Sequence, residues 1–220
     1  MRSIVILISG GGSNLQAIIE RIASDKLDVN ISLVLSNRAD AYGLQRASNV
    51  GIATSVIDHK AFDSRESFDQ AMIKEIDLHQ PDLIVMAGFM RILSNAFVEH
   101  YAGRMINIHP ALLPAYKGLH THQRALADKA EFHGATVHYV TAELDSGQSI
   151  VQGRVPVLLD DDEASLQSRV HSIEHVIYPK VIEWFAKGRL DCRNQKAYLN
   201  GELLVEPIII ESNLHTVKNH

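Results

Sequence analysis

Met105-Ile106-Asn107-Ile108-His109-Pro110 holds an amide and an imidazole at a spacing that lets them act on one group. Arg104 to His109 alternates apolar with polar or long side chains, which predicts a β-strand, and side chains two apart on a strand share a face. Asn107 and His109 are therefore expected to project together, with Ile106 and Ile108 pointing away. Pro110 lacks the N–H that a ladder needs and should end the strand. Ala111 to Gly118 has neither period, so a loop is expected beyond it. At such a strand end the amide could hold a carbonyl oxygen while the imidazole moves a proton. The plainer alternative is a polar pair that ties down loop backbone, the usual fate of strand-end polar groups. Asp145, in Thr141-Ala142-Glu143-Leu144-Asp145-Ser146-Gly147, is an ordinary turn former before Ser-Gly. It is also a carboxylate able to meet His109 if the strands beside it neighbour the central one.

A second constellation lies near the N-terminus. Ser3 to Ile8 is a continuous apolar run, as expected of a strand buried on both faces. Ser9-Gly10-Gly11-Gly12-Ser13-Asn14 follows, then Leu15 to Ile22 with helical spacing. Strand, glycine-rich turn and helix bring free backbone N–H groups and a positive helix end to one point, which suits phosphate. Ser13 or Asn14 is the expected N-cap. The dinucleotide fingerprint needs a glycine where this chain has Leu15, and Ser36-Asn37-Arg38 after the second strand offers no acid for a ribose. No Gly-Lys-Ser/Thr follows the turn, which excludes the ATP P-loop. A phosphate monoester on a small substrate fits better than a nucleotide cofactor. A tight turn that binds nothing is the alternative, although three consecutive glycines exceed what a turn needs.

The elements that must position these groups are legible in outline. Further strands are expected at Asn30–Leu35, Thr54–Ile57, Asp82–Ala87, Ala135–Val140 and Ser149–Val157. Helices are expected at Ala41–Val50, Ser64–Leu78 with Ser64 as N-cap, from Ser94 to about Ala102, and through about Asp128. Strands alternating with helices imply an α/β fold, a doubly wound, mostly parallel sheet with helices on both faces. Loops at the carboxyl ends of such strands form the ligand crevice. The glycine turn, the end of the Asn107/His109 strand and Gly88-Phe89-Met90-Arg91-Ile92-Leu93 should then open on one side. That last loop is apolar, so it either packs under another loop or lines a pocket for a flat ligand. Arg65 is a surface charge or an anion contact. Glu163 to Lys187 is a long helix with Leu166, Val170, Ile173, Ile177, Val181 and Phe185 as its apolar stripe, and Pro179 should kink it. His171, Glu174 and His175 fall on the other side, where a solvated face is the default. After about Glu206 the chain is polar apart from Ile208 to Ile210, and a loosely held tail is expected.

Composition narrows the function classes. The chain has 220 residues and is 46% hydrophobic, enough for a full core in one large or two small domains. Its net charge is −5 with scattered basic residues, which argues against a nucleic-acid surface. Cys192 is the lone cysteine, so no internal disulfide forms and a reducing, cytoplasmic setting is expected. The Ile4–Ile8 run is too short for a signal segment, and nothing approaches the roughly 20 apolar residues of a membrane span. His120, His122, His133 and His138 match none of the usual metal-ligand spacings, so no metal is expected.

The motifs Ile-Ser-Gly-Gly-Gly-Ser-Asn-Leu-Gln-Ala (8–17), Ala-Gly-Phe-Met-Arg-Ile-Leu (87–93), Asn-Ile-His-Pro-Ala-Leu-Leu-Pro (107–114), Gly-Leu-His-Thr-His (118–122), His-Gly-Ala-Thr-Val-His (133–138) and Glu-Leu-Asp-Ser-Gly (143–147) occur in this order. Together they resemble the phosphoribosylglycinamide formyltransferase family, folate-dependent enzymes of purine synthesis, from residue 3 to about 190. The family often has Asn where this chain has Gly11 and Pro where it has Lys117. The resemblance implies formyl transfer from 10-formyltetrahydrofolate, a co-substrate, to glycinamide ribonucleotide. Carried over, Asn107, His109 and Asp145 are catalytic. Gly12, Ser13 and Asn14 bind the substrate phosphate, and His171 and Glu174 complete that site, Glu174 at the ribose. Arg65, Met90, Arg91, Ile92, Leu93, Asn107 and Thr141, Ala142, Glu143, Leu144 and Asp145 form the folate site. A catalytic domain over 1–190 is then expected, with a phosphate-binding half (1–103), a catalytic and folate half (104–190), and a partly flexible extension over 191–220. Methionyl-tRNA formyltransferase would add a basic C-terminal domain and formyltetrahydrofolate hydrolase an N-terminal one, and neither is expected here. A non-catalytic sensor of a phosphorylated metabolite is the alternative of a different class.

Overall fold

In the computed structural model, which describes residues 1–212, the N-terminal apolar run forms β1 (Arg2–Ile8), an interior strand of an eight-stranded sheet. Ile4, Ile6 and Ile8 enter one core and Val5 and Leu7 the other, so both faces of the strand are sealed. Each such side chain is worth about 1.5–3 kcal/mol of burial. After β1 come α1 (Ser13–Ala23), β2 (Val29–Ser36), α2 (Tyr42–Ser48), β3 (Thr54–Val56), α3 (Arg65–Leu78), β4 (Leu83–Met86), α4 (Asn95–His100) and β5 (Met105–His109). The five strands are parallel in the order β3-β2-β1-β4-β5. Ser64 caps α3 through a reciprocal pair with Ser67, as its position before the apolar face requires. Side chains of α1 and α2 pack on one face of the sheet, and Phe68, Met72 and Ile76 of α3 with Phe97 of α4 on the other.

The second half continues the same sheet. After α5 (Thr121–Ala127), β6 (Phe132–Tyr139) runs antiparallel to β5, and β7 (Ser149–Pro156) antiparallel to β6. The short 140–148 connection makes a hairpin, where a parallel pair would need a crossover. Then α6 (Glu163–Ala186), capped by Asp162 with Ser165, runs through Pro179 without a break. Its buried arc is wider than one stripe and includes Glu174, Tyr178 and Trp184. The expectation of a solvated face therefore fails at Glu174, which is 4% exposed.

The region after α6 differs from the sequence reading. β8 (Leu190–Arg193), β9 (Lys196–Leu199) and β10 (Glu202–Leu203) form a separate antiparallel meander. Gln148 fastens it to the main body: its Oε1 accepts the Ala197 N–H at 2.7 Å and its amide donates to the Leu204 carbonyl. Within the expected loose tail, Ile208–Glu211 forms β11, a parallel edge strand on β7, and the rest of that tail, 213–220, lies outside the described residues. The ladder bonds offered by the β7 edge hold a segment whose composition alone does not mark it as ordered. No helix among the described residues is long and apolar enough to cross a membrane.

Candidate active site

β5 delivers its side chains as alternation requires. Ile106 and Ile108 enter a core, while Asn107 and His109 share the opposite face. The antiparallel register then sets His138 of β6 opposite Asn107, and Thr136 opposite His109. His138 Nδ1 lies 2.9 Å from the Tyr139 carbonyl, which can only accept, so Nδ1 carries the proton and Nε2 is a lone pair. Asn107 Nδ2 is 3.3 Å from that Nε2 and donates to it. The amide orientation is thereby fixed, and its second N–H stays available. Burial lowers the His138 pKa, with the Asp145 carboxylate working against it, so the ring is neutral. The 3.9 Å approach of His138 Nε2 to Asp145 Oδ1 is accordingly not an ion pair.

Asp145 is brought to His109 by the β6–β7 hairpin. Its Oδ2 lies 3.4 Å from His109 Nδ1 and accepts the Gly118 N–H at 3.0 Å. Both side chains are almost fully buried. The other ring nitrogen, Nε2, donates to the Tyr116 carbonyl at 2.9 Å. The ring thus has an acceptor on each side, which a doubly protonated imidazolium satisfies. The loop after β5 is anchored from below: Thr136 Oγ1 donates to the Ala111 carbonyl at 2.7 Å, and Gln152 donates to the Leu113 carbonyl at 2.6 Å.

Beside this group a cleft is walled by Arg91, Ile92 and Leu93 on one side and by Thr141, Ala142, Glu143, Leu144 and Asp145 on the other. Asn107 and His138 form its floor. Ile92 and Leu144 are more than half exposed, an unusual setting for large apolar side chains that a flat ligand would cover. Ser9 Oγ donates to Asn37 at 2.6 Å and accepts the Met90 N–H at 2.8 Å, which ties the 88–93 loop to the end of β1. Ser94 N–H donates to the buried Asp69 at 2.6 Å and fixes the loop's far end. Met90 and Arg65 are exposed and stand outside the cleft wall, with Arg65 in the first turn of α3.

The glycine turn lies at the same, carboxyl end of the sheet. Gly12, with φ 69°, takes the N-cap position of α1 without a side-chain cap, so neither Ser13 nor Asn14 caps the helix as expected. The helix therefore begins earlier than expected, and Gly12 packs against α2: a Cβ there would stand 2.8 Å from Gly43 Cα. Asn14 points inward instead. Its Nδ2 donates to Glu174 Oε2 at 2.8 Å, while its Oδ1 is buried with no partner. Burial raises the Glu174 carboxyl to about 7, against the pull of the Asn14 amide. His171, three residues earlier on α6, is half-buried and stacks on His175. The structure therefore gathers Gly12, Ser13, Asn14 and Glu174 at one end, and Asn107, His109 and Asp145 beside the cleft.

Sequence reasoning passed over Ser9, Tyr116, Lys117, Thr136 and Gln152, and met His138 only as a metal-like histidine. The alternation of β6 was a usable signal for His138; its partner strand was not. His122 and His133 form a buried imidazole pair, 3.1 Å apart, and among the described residues no cluster of three or more His, Cys, Asp or Glu is placed to hold a metal. A larger hollow of about 690 Å³ opens among Arg2, Asp82, Arg104 and Asp191. It lies at the N-terminal ends of β1, β4 and β5, the end where parallel sheets do not place ligands.

Residues 2–182 match the formyl transferase family. The phosphoribosylglycinamide formyltransferase of Escherichia coli (strain K12) is 55% identical over 92% of this chain and 95% of its own. That of Haemophilus influenzae is 43% identical over 93% and 96%. Among solved structures, the phosphoribosylglycinamide formyltransferase of Coxiella burnetii superposes with a TM-score of 0.90 at 51% identity, covering 94% of this chain and 99% of that one.

Proposed function

Since the chain belongs to the formyl transferase family, we propose that it moves a formyl group from 10-formyltetrahydrofolate to the amine of glycinamide ribonucleotide, yielding the formylated ribonucleotide and tetrahydrofolate in purine synthesis. The observation that carries the reading is the amide, imidazole and carboxylate group set between a glycine-rich anion turn and a partly apolar cleft.

In this reading residues 1–103 supply the phosphate end and 104–190 the catalytic end. The substrate phosphate sits on the N–H groups of Gly12, Ser13 and Asn14 at the positive end of α1. Glu174, with His171 near it, takes the ribose hydroxyls. The donor's ring system lies between 91–93 and 141–145, with Met90 outside that wall and Arg91 and Arg65 on the side of its carboxylates. The amine attacks the formyl carbon, and the oxygen becomes an oxyanion that accepts the free N–H of Asn107. The new C–N bond forms in that attack, and collapse of the tetrahedral oxyanion then breaks the bond to the folate nitrogen. His109, held against Asp145, protonates that nitrogen, and Asp145 helps to remove the proton the amine loses. No step needs a metal ion. The partners are these small molecules, without nucleic acid or membrane, in the cytoplasm.

An ultraviolet assay of donor deformylation, with and without glycinamide ribonucleotide, tests the proposal. Turnover that requires the ribonucleotide is expected. Turnover without it would make the protein a hydrolase, and ribonucleotide binding with no turnover would make it a sensor.

A further inference from the structure

Of three consecutive residues in the loop after β5, two contact the catalytic group and the third holds the loop that carries Asp145. The Tyr116 carbonyl accepts from His109, and the Gly118 N–H donates to Asp145. Both are backbone contacts. Between them the Lys117 side chain crosses to the 141–147 loop, where its ammonium donates to Ser146 Oγ and stands 3.6 Å from Glu143 Oε1. Ser146 Oγ in turn donates to the Leu144 carbonyl at 3.0 Å. The link from Lys117 therefore brackets Asp145, whose backbone has the left-handed φ of 49°. On its other side the segment is fixed by Arg124 of α5, which donates to the Lys117 carbonyl at 2.7 Å and lies over the Tyr116 ring.

The two contacts of the ammonium differ in weight. The Glu143 side chain is 79% exposed, so that pair is screened and worth little. The bond to Ser146 is charge-assisted, better shielded and directional. We propose that Lys117 is a positioning residue for formyl transfer: it clamps the 141–147 loop so that Asp145 stays against His109 and Ala142 to Leu144 keep the shape that receives the donor. The inference rests on the formyl-transfer reading of the site.

Lys117→Met keeps the stem and removes the ammonium. Its kcat/KM for 10-formyltetrahydrofolate should fall roughly 10-fold, chiefly in kcat, with the KM for glycinamide ribonucleotide nearly unchanged. Lys117→Arg should restore most of the loss. Ser146→Ala should reproduce it, and the double variant should be no worse, because both act through one bond. Hydrogen exchange over 141–147 should quicken in Lys117→Met while the melting temperature moves by no more than about 2 °C. Wild-type kinetics in Lys117→Met, or an acceptor KM that rises with the donor term, would overturn the proposal. If the wild type transferred no formyl group, the parent reading would fail; the exchange measurement would then judge the clamp alone, with unchanged exchange overturning it.

Discussion

At the scale of single residues, the strongest demand falls on Asp145. One of its oxygens both accepts the Gly118 N–H and faces His109. Asn preserves the size and tolerates a left-handed φ better than most residues, so Asp145→Asn should keep the loop and lose only the charge. We expect kcat to fall on the order of 10³, with both KM values moving far less. Asp145→Asn/His109→Asn should be little worse than the worse single, since groups acting as a unit do not lose additively. Steady-state kinetics decide this, and a near-wild-type kcat would reduce Asp145 to a turn residue. Glu174 makes a separate claim. Its carboxyl is raised to about 7, so it is largely protonated below neutrality and ionised above. A carboxylate accepts from hydroxyls more strongly than the neutral acid. The KM for glycinamide ribonucleotide should therefore fall as pH rises through about 7, and Glu174→Gln should flatten that step. Equal slopes in both proteins would remove Glu174 from the ribose site.

At the scale of elements, the β1–α1 turn joins two requirements that variants can separate. Gly12 has a positive φ and no room for a Cβ, whereas a Cβ on Gly11 would meet nothing within 4 Å. Gly12→Val should raise the KM for glycinamide ribonucleotide at least about 10-fold and also lower the melting temperature, since a left-handed β-branched residue destabilises the fold by about 1–2 kcal/mol or more. Gly11→Ala should melt with the wild type. If Gly12→Val raised the donor KM instead, the two ligands would have been assigned to the wrong ends. This turn was legible because everything about it is local: an apolar run, glycines, then helical spacing. The face shared by Asn107 and His109 was legible for the same reason. What escaped was non-local. The antiparallel β5–β6 pairing that puts His138 opposite Asn107 depends on a hairpin read only in three dimensions. Ile208 to Glu211 looked loose because nothing in its own period says that the β7 edge is free to bind it. Glu174 looked solvated because one apolar stripe was counted on α6, while the helix is buried over a wider arc between α1 and the sheet.

At the scale of the whole molecule, the buried histidines set how stability responds to acid. Burial lowers the pKa of His122, His138, His171 and His175, and takes His133 down to about 4. In the unfolded chain these rings bind protons near pH 6.5; in the folded chain they resist until lower pH. The unfolded state therefore holds more protons in that window, so stability falls as pH drops below about 6.5. Glu174 works the other way, because its folded value of about 7 lies above the ordinary carboxylate range and acidification relieves its burial. Arg169 holds Asp161 down to about 2, so that pair enters only in much stronger acid. Glu174 and Asp69, whose carboxyl burial also raises, thus oppose five imidazoles between neutrality and about pH 5, and we expect the imidazoles to prevail by number. Each whole proton of difference is worth about 1.4 kcal/mol per pH unit. Scanning calorimetry should show the melting temperature dropping by several degrees from about pH 7.5 to 5. Runs in buffers of different ionisation enthalpy should show net proton uptake on unfolding across the same range. A melting temperature that held steady or rose would mean that the buried imidazoles do not outweigh the raised carboxyls.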